Sequence, residues 1–229
     1  MAIAEQVTEL GGLIVTNCKV EEVCAGTNDI LTLTCTHNDI TRELKAKNVV
    51  HAWNGYGLKD KFLPKRLADQ LEQARCQVVA LKNEGITVSK NICYNQDDES
   101  DEEFLVQRRD GTIVLGGFDW MYKDDRPDDS IVEKDVVRGL VGELEKLYPS
   151  RSKKTDITHA WSGVYCDTTD GKPIVGAIKE LPNQYVSVGY NGQGMVKAFS
   201  CGRHIAEMIK GSKLTQPLIS KQFDPNRFS

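Results

Sequence analysis

Two long stretches of the chain repeat apolar residues at helical spacing. From Ile131 to Tyr148, the residues Val132, Val136, Leu140, Leu144 and Leu147 fall on one face, and Pro149 follows the end. Ser130 and Glu133 stand at the spacing of a capping box, which predicts the start of this helix. From Gln193 onward, Met195, Phe199, Gly202, Ile205 and Ile209 share a face that Val196, Ala198, Ala206 and Met208 widen, and Gly211 supplies a stop. A shorter helix is predicted for Ala2 to Leu10, with Ile3, Val7 and Leu10 together before Gly11-Gly12. Pro64 opens a fourth.

Elsewhere the apolar period is two. Strands are predicted at Leu13 to Thr16, Lys19 to Cys24, Ile30 to Thr36 and Thr41 to Lys45, separated by turn residues such as Gly26, Asn28, Asn38 and Asp39. Asn48 to Trp53 runs into Asn54-Gly55-Tyr56-Gly57, and Arg75 to Leu81 is a further strand. Phe104 to Arg109 and Thr112 to Phe118 flank Asp110-Gly111, which predicts a hairpin with a primed turn. Ile157 to Cys166, Ile174 to Ile178 and Tyr185 to Gly189 complete the set. The tail from Ser212, with Pro217 and Pro225, has little periodicity and is expected to wrap the surface. The fold class expected is α/β (α+β).

The segment Tyr185 to Gly211 joins strand, glycine turn and helix. Such a junction aims unpaired N–H groups and a positive dipole end at an anion or a polarised carbonyl. Its glycines, Gly189, Gly192 and Gly194, are spaced GxxGxG, not as the dinucleotide fingerprint GxGxxG. A tight turn between packed elements and a ligand cradle both satisfy this pattern.

Composition narrows the class. The 229 residues are 40% hydrophobic and 27% charged, as in a globular domain with a sizeable core. A net charge of −4 gives no reason to expect nucleic acid or an anionic membrane as partner. No apolar run spans a bilayer and no secretory signal is visible, so a cytoplasmic location is expected. The seven cysteines are scattered without a CxxC, which fits reduced thiols, and the four histidines have no HxxxH spacing, so no metal site is expected. The acidic run within Asn95 to Glu103 reads as a solvated loop.

Six segments, in order, resemble the FAD-dependent oxidoreductases of the D-amino-acid oxidase-like (DAO) superfamily, especially their fungal amine- and amino-acid-oxidase-like branch. They are AEQVTELGGLIVTNCKVEEV, VVHAWNGYG, ARCQVVAL, DEEFLVQRRDGTIVLGG, WSGVYCDTTDGKPIVG and YVSVGYNGQGM. The resemblance implies an FAD-binding domain (1–57 and 158–229) interleaved with a mixed-sheet substrate domain (58–157). It places the backbone of Val20 against adenine, and Ala52, Trp53 and Asn54 at a strand end beside the cofactor. It puts Gly189, Asn191, Gly192, Gln193, Gly194 and Met195 at the pyrimidine side of the flavin, with Trp161 and Gly163 near the ring.

The departures from the family are specific. The GxGxxG and its acidic ribose ligand are absent from this sequence, as though an N-terminal segment were missing. Trp53 replaces a small or hydroxyl residue, Cys76 a glycine, and Gln193 a histidine. Gly163 occupies the position of the flavin-linking cysteine of some sarcosine-oxidase-like relatives, so FAD is expected to bind non-covalently. Phe104 stands near where D-amino-acid oxidases carry a substrate-contacting tyrosine.

The function implied is oxidation of a C–N bond of an amine or amino acid by hydride transfer to flavin N5, the imine being hydrolysed afterwards. Arg75, Arg108 and Arg109 are candidates to hold a substrate carboxylate, because a guanidinium pairs with it bidentately. The alternative is a non-catalytic, N-terminally truncated remnant unable to hold FAD alone. A third reading, independent of the resemblance, is an α/β domain whose glycine turn binds a phosphate ligand.

Overall fold

Thirteen residues from Asp156 to Thr168 form the longest strand, and it is the seam of the molecule. The structure is a computed structural model that describes residues 2–58, 62–82, 87–88, 92–95, 102–117, 128–149 and 156–228. In chain order the elements are α1 (Ala2–Glu9), β1 (Cys18–Ala25), β2 (Leu31–His37), β3 (Ile40–Ala46), β4 (Val49–His51), α2 (Lys65–Ala68) and β5 (Leu71–Lys82). They continue with β6 (Ile92–Asn95), β7 (Glu102–Gln107), β8 (Ile113–Gly116), α3 (Lys134–Leu147), β9 (Asp156–Thr168), β10 (Ile174–Ala177), β11 (Gln184–Val188), α4 (Gly194–Ile209) and α5 (Pro217–Gln222). Short 3₁₀ turns cover Tyr56–Leu58 and Pro225–Phe228.

Three sheets form among the described residues. The first is the meander β1-β2-β3. The second is β10-β11-β4, in which β11 and β4 run parallel with Gln184 opposite Val49. The third is the antiparallel β6-β7-β8-β5-β9, where β9 pairs along its whole length with β5. The boundary expected at 157/158 falls inside β9.

Alternation sorts the third sheet into two faces. One buries Val79, Leu81, Leu105, Ile113 and Leu115 against Val136, Leu140 and Leu144 of α3. These are the helix positions that the periodicity selects, and each fully buried leucine contributes about 1.5–3 kcal/mol. The second sheet is covered on both sides, as a sheet with a parallel pair requires. Leu63, Leu67, Leu71 and Cys166 pack with Ile174, Val186 and Val188 on one side, and Cys201, Ile205 and Ile219 pack on Val175 on the other.

Four sequence expectations change. Leu13 to Thr16 is not a strand; its apolar side chains are exposed. α3 starts at Lys134 with no side-chain cap bond, because Glu133 is used otherwise: its carboxylate takes Arg75 and its N–H donates to Gln77 Oε1 at 2.7 Å. Ser130 turns instead to Asp128, 2.6 Å away. The Asp110-Gly111 hairpin is not a primed turn, since only Gly111 has positive φ (86°) and Arg108 N–H donates to Thr112 O, the geometry of a turn with a glycine bulge. The buried stripe of α4 is Cys201, His204 and Ile205, leaving Met195, Val196 and Phe199 exposed. The tail lies mostly on the surface, anchored by the buried Ile219 and Pro225. The acidic run lies mostly outside the described residues.

No described helix is long and apolar enough to cross a membrane. Cys18, Cys24, Cys35, Cys76, Cys166 and Cys201 are free thiols. Burial lowers the pKa of His51 and of His204 below the ordinary 6.5. Both stay neutral in the fold while the unfolded chain gains protons, so the stability that neutrality contributes is present above pH 6.5 and falls as pH drops towards the folded values. Thermal unfolding should show a falling melting temperature from pH 6.5 to 5, and His51→Gln with His204→Gln should flatten that slope.

Candidate functional site

Parallel strands β4 and β11 end side by side, and both chains turn at their carboxyl ends. That is where open α/β sheets form ligand crevices. β4 leads through Ala52 and Trp53 into Asn54, which has a left-handed backbone (φ 51°). β11 leads into Gly189 (φ 70°), Asn191 (φ 51°) and Gly192 (φ 71°), then α4 begins at Gly194. A Cβ on Gly189 would collide with Thr168 Cγ2, so glycine is required there.

Two asparagine side chains tie the turns together. Asn54 Oδ1 accepts from Gly189 N at 3.0 Å and from Cys166 Sγ at 3.3 Å. Asn191 Oδ1 accepts from Thr168 N at 2.9 Å, while its Nδ2 donates to Gly189 O at 2.7 Å and to Thr168 Oγ1 at 3.0 Å. The ends of β4, β9 and β11 are thereby fixed at one place. Burial pushes the Cys166 thiol up to about 11, so it stays a protonated donor. Burial also lifts Tyr190 to about 12, its hydroxyl 2.6 Å from Ser187 Oγ.

Beside this junction lies an apolar groove of 930 Å³, bordered by Asn54, Tyr165, Tyr190, Gly192, Met195 and Phe199, among others. Met195 is 98% and Phe199 76% exposed. A second apolar hollow of 350 Å³ continues it along Ala198, Gly202 and Ala206 to Val50 on β4, whose outer edge has no sheet partner among the described residues. At Gly192 nothing lies within 4 Å of where a Cβ would stand, and at Gly194 the nearest atom is 3.7 Å off. The backbone there is bare. Gln193 stands at the N-cap of α4 without a side-chain cap bond, so the helix's first N–H groups receive none from it.

The remaining candidates are distributed as follows. Trp53 packs over Gly57 and donates from Nε1 to His51 Nδ1 at 3.4 Å, while His51 Nε2 donates to Gln184 Oε1 at 2.8 Å. Trp161 (43% exposed) and Gly163 sit on the β9 face opposite α3, across from Val78 and Cys76. Phe104 lies flat over Gly116 on that same face. A Cβ on Gly163 would meet only Tyr56 Oη, at 4.0 Å. Val20 is on the edge strand of the meander, next to a bulge. Arg75 lies on the α3 side, 5% exposed, with Nη2 donating to Glu133 Oε1 at 2.9 Å. Arg108 and Arg109 lie at the exposed hairpin turn. None of these three arginines lines the groove.

Tyr165, Cys166, Thr168 and Tyr190 join the site without having been singled out in the sequence. The one signal for them is proximity to Asp170-Gly171 and to the glycine turn.

The family described as FAD dependent oxidoreductase (DAO) matches residues 1–208. The chain belongs to this family of FAD dependent oxidoreductases. It is 24% identical over 165 residues to a glycine oxidase of Bacillus licheniformis, covering 70% of this chain and 39% of that protein. With the gamma-glutamylputrescine oxidoreductase of Escherichia coli K12 it shares 28% over 174 residues, 74% of this chain and 38% of the relative. The L-proline dehydrogenase of P. horikoshii superposes with a TM-score of 0.74 at 24% identity, covering 99% of this chain and 58% of that one. The glycine oxidase of Geobacillus kaustophilus gives 0.73 at 16%, covering 93% and 54%. The fold is therefore that of DAO proteins, and the chain spans well under two thirds of these relatives.

Asn54→Ala removes the acceptor of both the Gly189 N–H and the Cys166 thiol. It should cost about 1–3 kcal/mol in chemical denaturation and speed alkylation of Cys166 by iodoacetamide.

Proposed function

We propose that this chain forms the flavin-facing part of an FAD-dependent oxidoreductase that oxidises a C–N bond of an amine or amino acid. The observation that carries the reading is the clamped glycine turn, whose bare backbone opens a helix N-terminus into an apolar groove. The residues present fit the group: Gly192 and Gly194 admit close approach, and the uncapped N–H groups of α4 suit an electron-rich carbonyl or anionic edge. Ala52, Trp53, Asn54, Asn191, Gln193 and Met195 would border it, with Trp161 and Gly163 on the sheet above and Val20 at the adenine end. FAD, when bound, supplies the acceptor for the electrons of a C–H next to nitrogen.

The chain's own residues prepare that chemistry. The turn presents N–H donors without needing to reorganise, and Met195 and Phe199 line the groove with apolar surface. Cys166 is held protonated against Asn54, and Gly163 offers no sulfur, both in keeping with non-covalent binding. The small-molecule substrate would lie against the face that carries Phe104, Trp161 and Tyr165. Domain limits at 1–57 with 158–229, and 58–157, remain part of this reading, as does a cytoplasmic location suited to free thiols.

The open edge of β4 and the exposed apolar side of α4 favour a second reading, in which further polypeptide is needed to hold FAD and this chain alone is non-catalytic. Absorption spectra of the purified chain, with and without added FAD and after gel filtration, separate the two. The first reading predicts retained flavin bands that bleach when amines or amino acids are added without oxygen. A colourless chain that takes up no FAD overturns it for this chain and leaves the second.

A further inference from the structure

We infer that Arg227, close to the end of the chain, is a positioning residue for the glycine turn; the inference rests on the flavin reading above. Its guanidinium grips the turn after β9 by three bonds. Nε donates to Asp170 Oδ2 at 2.8 Å, Nη2 to Asp170 Oδ1 at 3.0 Å, and Nη2 also to Lys172 O at 2.7 Å. The pair is mostly shielded, with side chains 15% and 29% exposed. Arg227 is the first cause of the lowered carboxyl pKa of Asp170. Such a planar two-point grip fixes orientation as well as charge.

Lys172 O is the shared atom. It also accepts from Thr168 Oγ1 at 3.0 Å, and Asp170 Oδ1 accepts from Lys172 N at 3.2 Å. Thr168 Oγ1, having given its proton to Lys172 O, presents its lone pair to Asn191 Nδ2 at 3.0 Å. Asn191 in turn takes Thr168 N and holds Gly189 O. The Thr168 methyl bears on Gly189 directly. A continuous chain of hydrogen bonds thus runs from Arg227 through Asp170, Lys172, Thr168 and Asn191 to Gly189. Each bond sets the donor–acceptor direction of the next.

The consequence is specific. Removing Arg227 frees one lone pair of Lys172 O and Oδ2 of Asp170, and leaves Oδ1 only its bond from Lys172 N, so the 168–172 turn is held less firmly. Thr168 then no longer holds Asn191 in one orientation, and the N–H groups that follow Gly189 lose their aim. Arg227, Asp170 and Lys172 are not among the residues that line the groove, so the effect of the clamp on a ligand is indirect.

Hydrogen exchange read by mass spectrometry, together with FAD titration by flavin fluorescence, tests this on the whole chain. Arg227→Ala should raise exchange across Gly189 to Gly194 and weaken FAD binding, each by about tenfold for the loss of such charged hydrogen bonds. Exchange in β5 and in β9 before Thr168 should stay unchanged. Arg227→Lys, which keeps the charge and loses the fork, should fall between the two, and it serves if the alanine variant does not fold. Asn191→Ala combined with Arg227→Lys should exchange no faster at the turn than Asn191→Ala alone. Unchanged exchange at the turn, or a rise spread evenly over the chain, overturns the inference and leaves Arg227 a structural strap. If the unaltered chain takes up no FAD, the flavin reading fails, and the exchange results alone decide the role of Arg227.

Discussion

The site depends on two asparagine side chains doing what backbone cannot. Three strand ends from distant parts of the sequence meet where β4, β9 and β11 stop, and no ladder continues between them. Asn54 and Asn191 supply the missing bonds, each from a left-handed backbone that asparagine tolerates better than most residues. Asn191 uses both ends of its amide, and Asn54 its oxygen, within the protein, so they act on a ligand by holding the glycine turn in place. The bare backbone and the uncapped start of α4 follow from that constraint.

The far side of the molecule shows how the second sheet face is kept free. Arg75 and Glu133 form a buried pair beneath α3, and Gln77 holds the backbone of Glu133 in both directions, at 2.9 and 2.7 Å. Breaking such a pair leaves a buried charge and costs about 3–5 kcal/mol. It docks the start of α3 on one face of the sheet, and the opposite face retains Phe104, Trp161, Gly163 and Tyr165. Tyr56 links the two regions, donating to Asp129 Oδ2 at 2.8 Å while accepting from Val164 N at 3.1 Å.

Much of the fold was legible because burial leaves a period in the sequence. Val136, Leu140 and Leu144 marked α3, and most strands fell within a residue or two of their predicted ends. α4 misled because it is apolar nearly all round: the stripe through Met195 and Phe199 looked like core, whereas Cys201, His204 and Ile205 occupy the core. The capping box at Ser130 failed because a tertiary partner, Arg75, outcompeted the local bond. The glycine turn was visible from Gly189, Gly192 and Gly194. Its clamps were not, since Asn54 and Cys166 meet across 112 residues and nothing local encodes that meeting. The tail looked irregular because Arg227 and Pro225 anchor it by individual contacts that have no period.

The most direct test of the account is the map of backbone amides perturbed when FAD is titrated into the isotopically labelled chain, read by heteronuclear NMR. The account predicts shifts concentrated at Ala52 to Asn54, Gly163 and Gly189 to Met195. Shifts concentrated instead at the hairpin of Arg108 and Arg109, or no shifts at all, would contradict it.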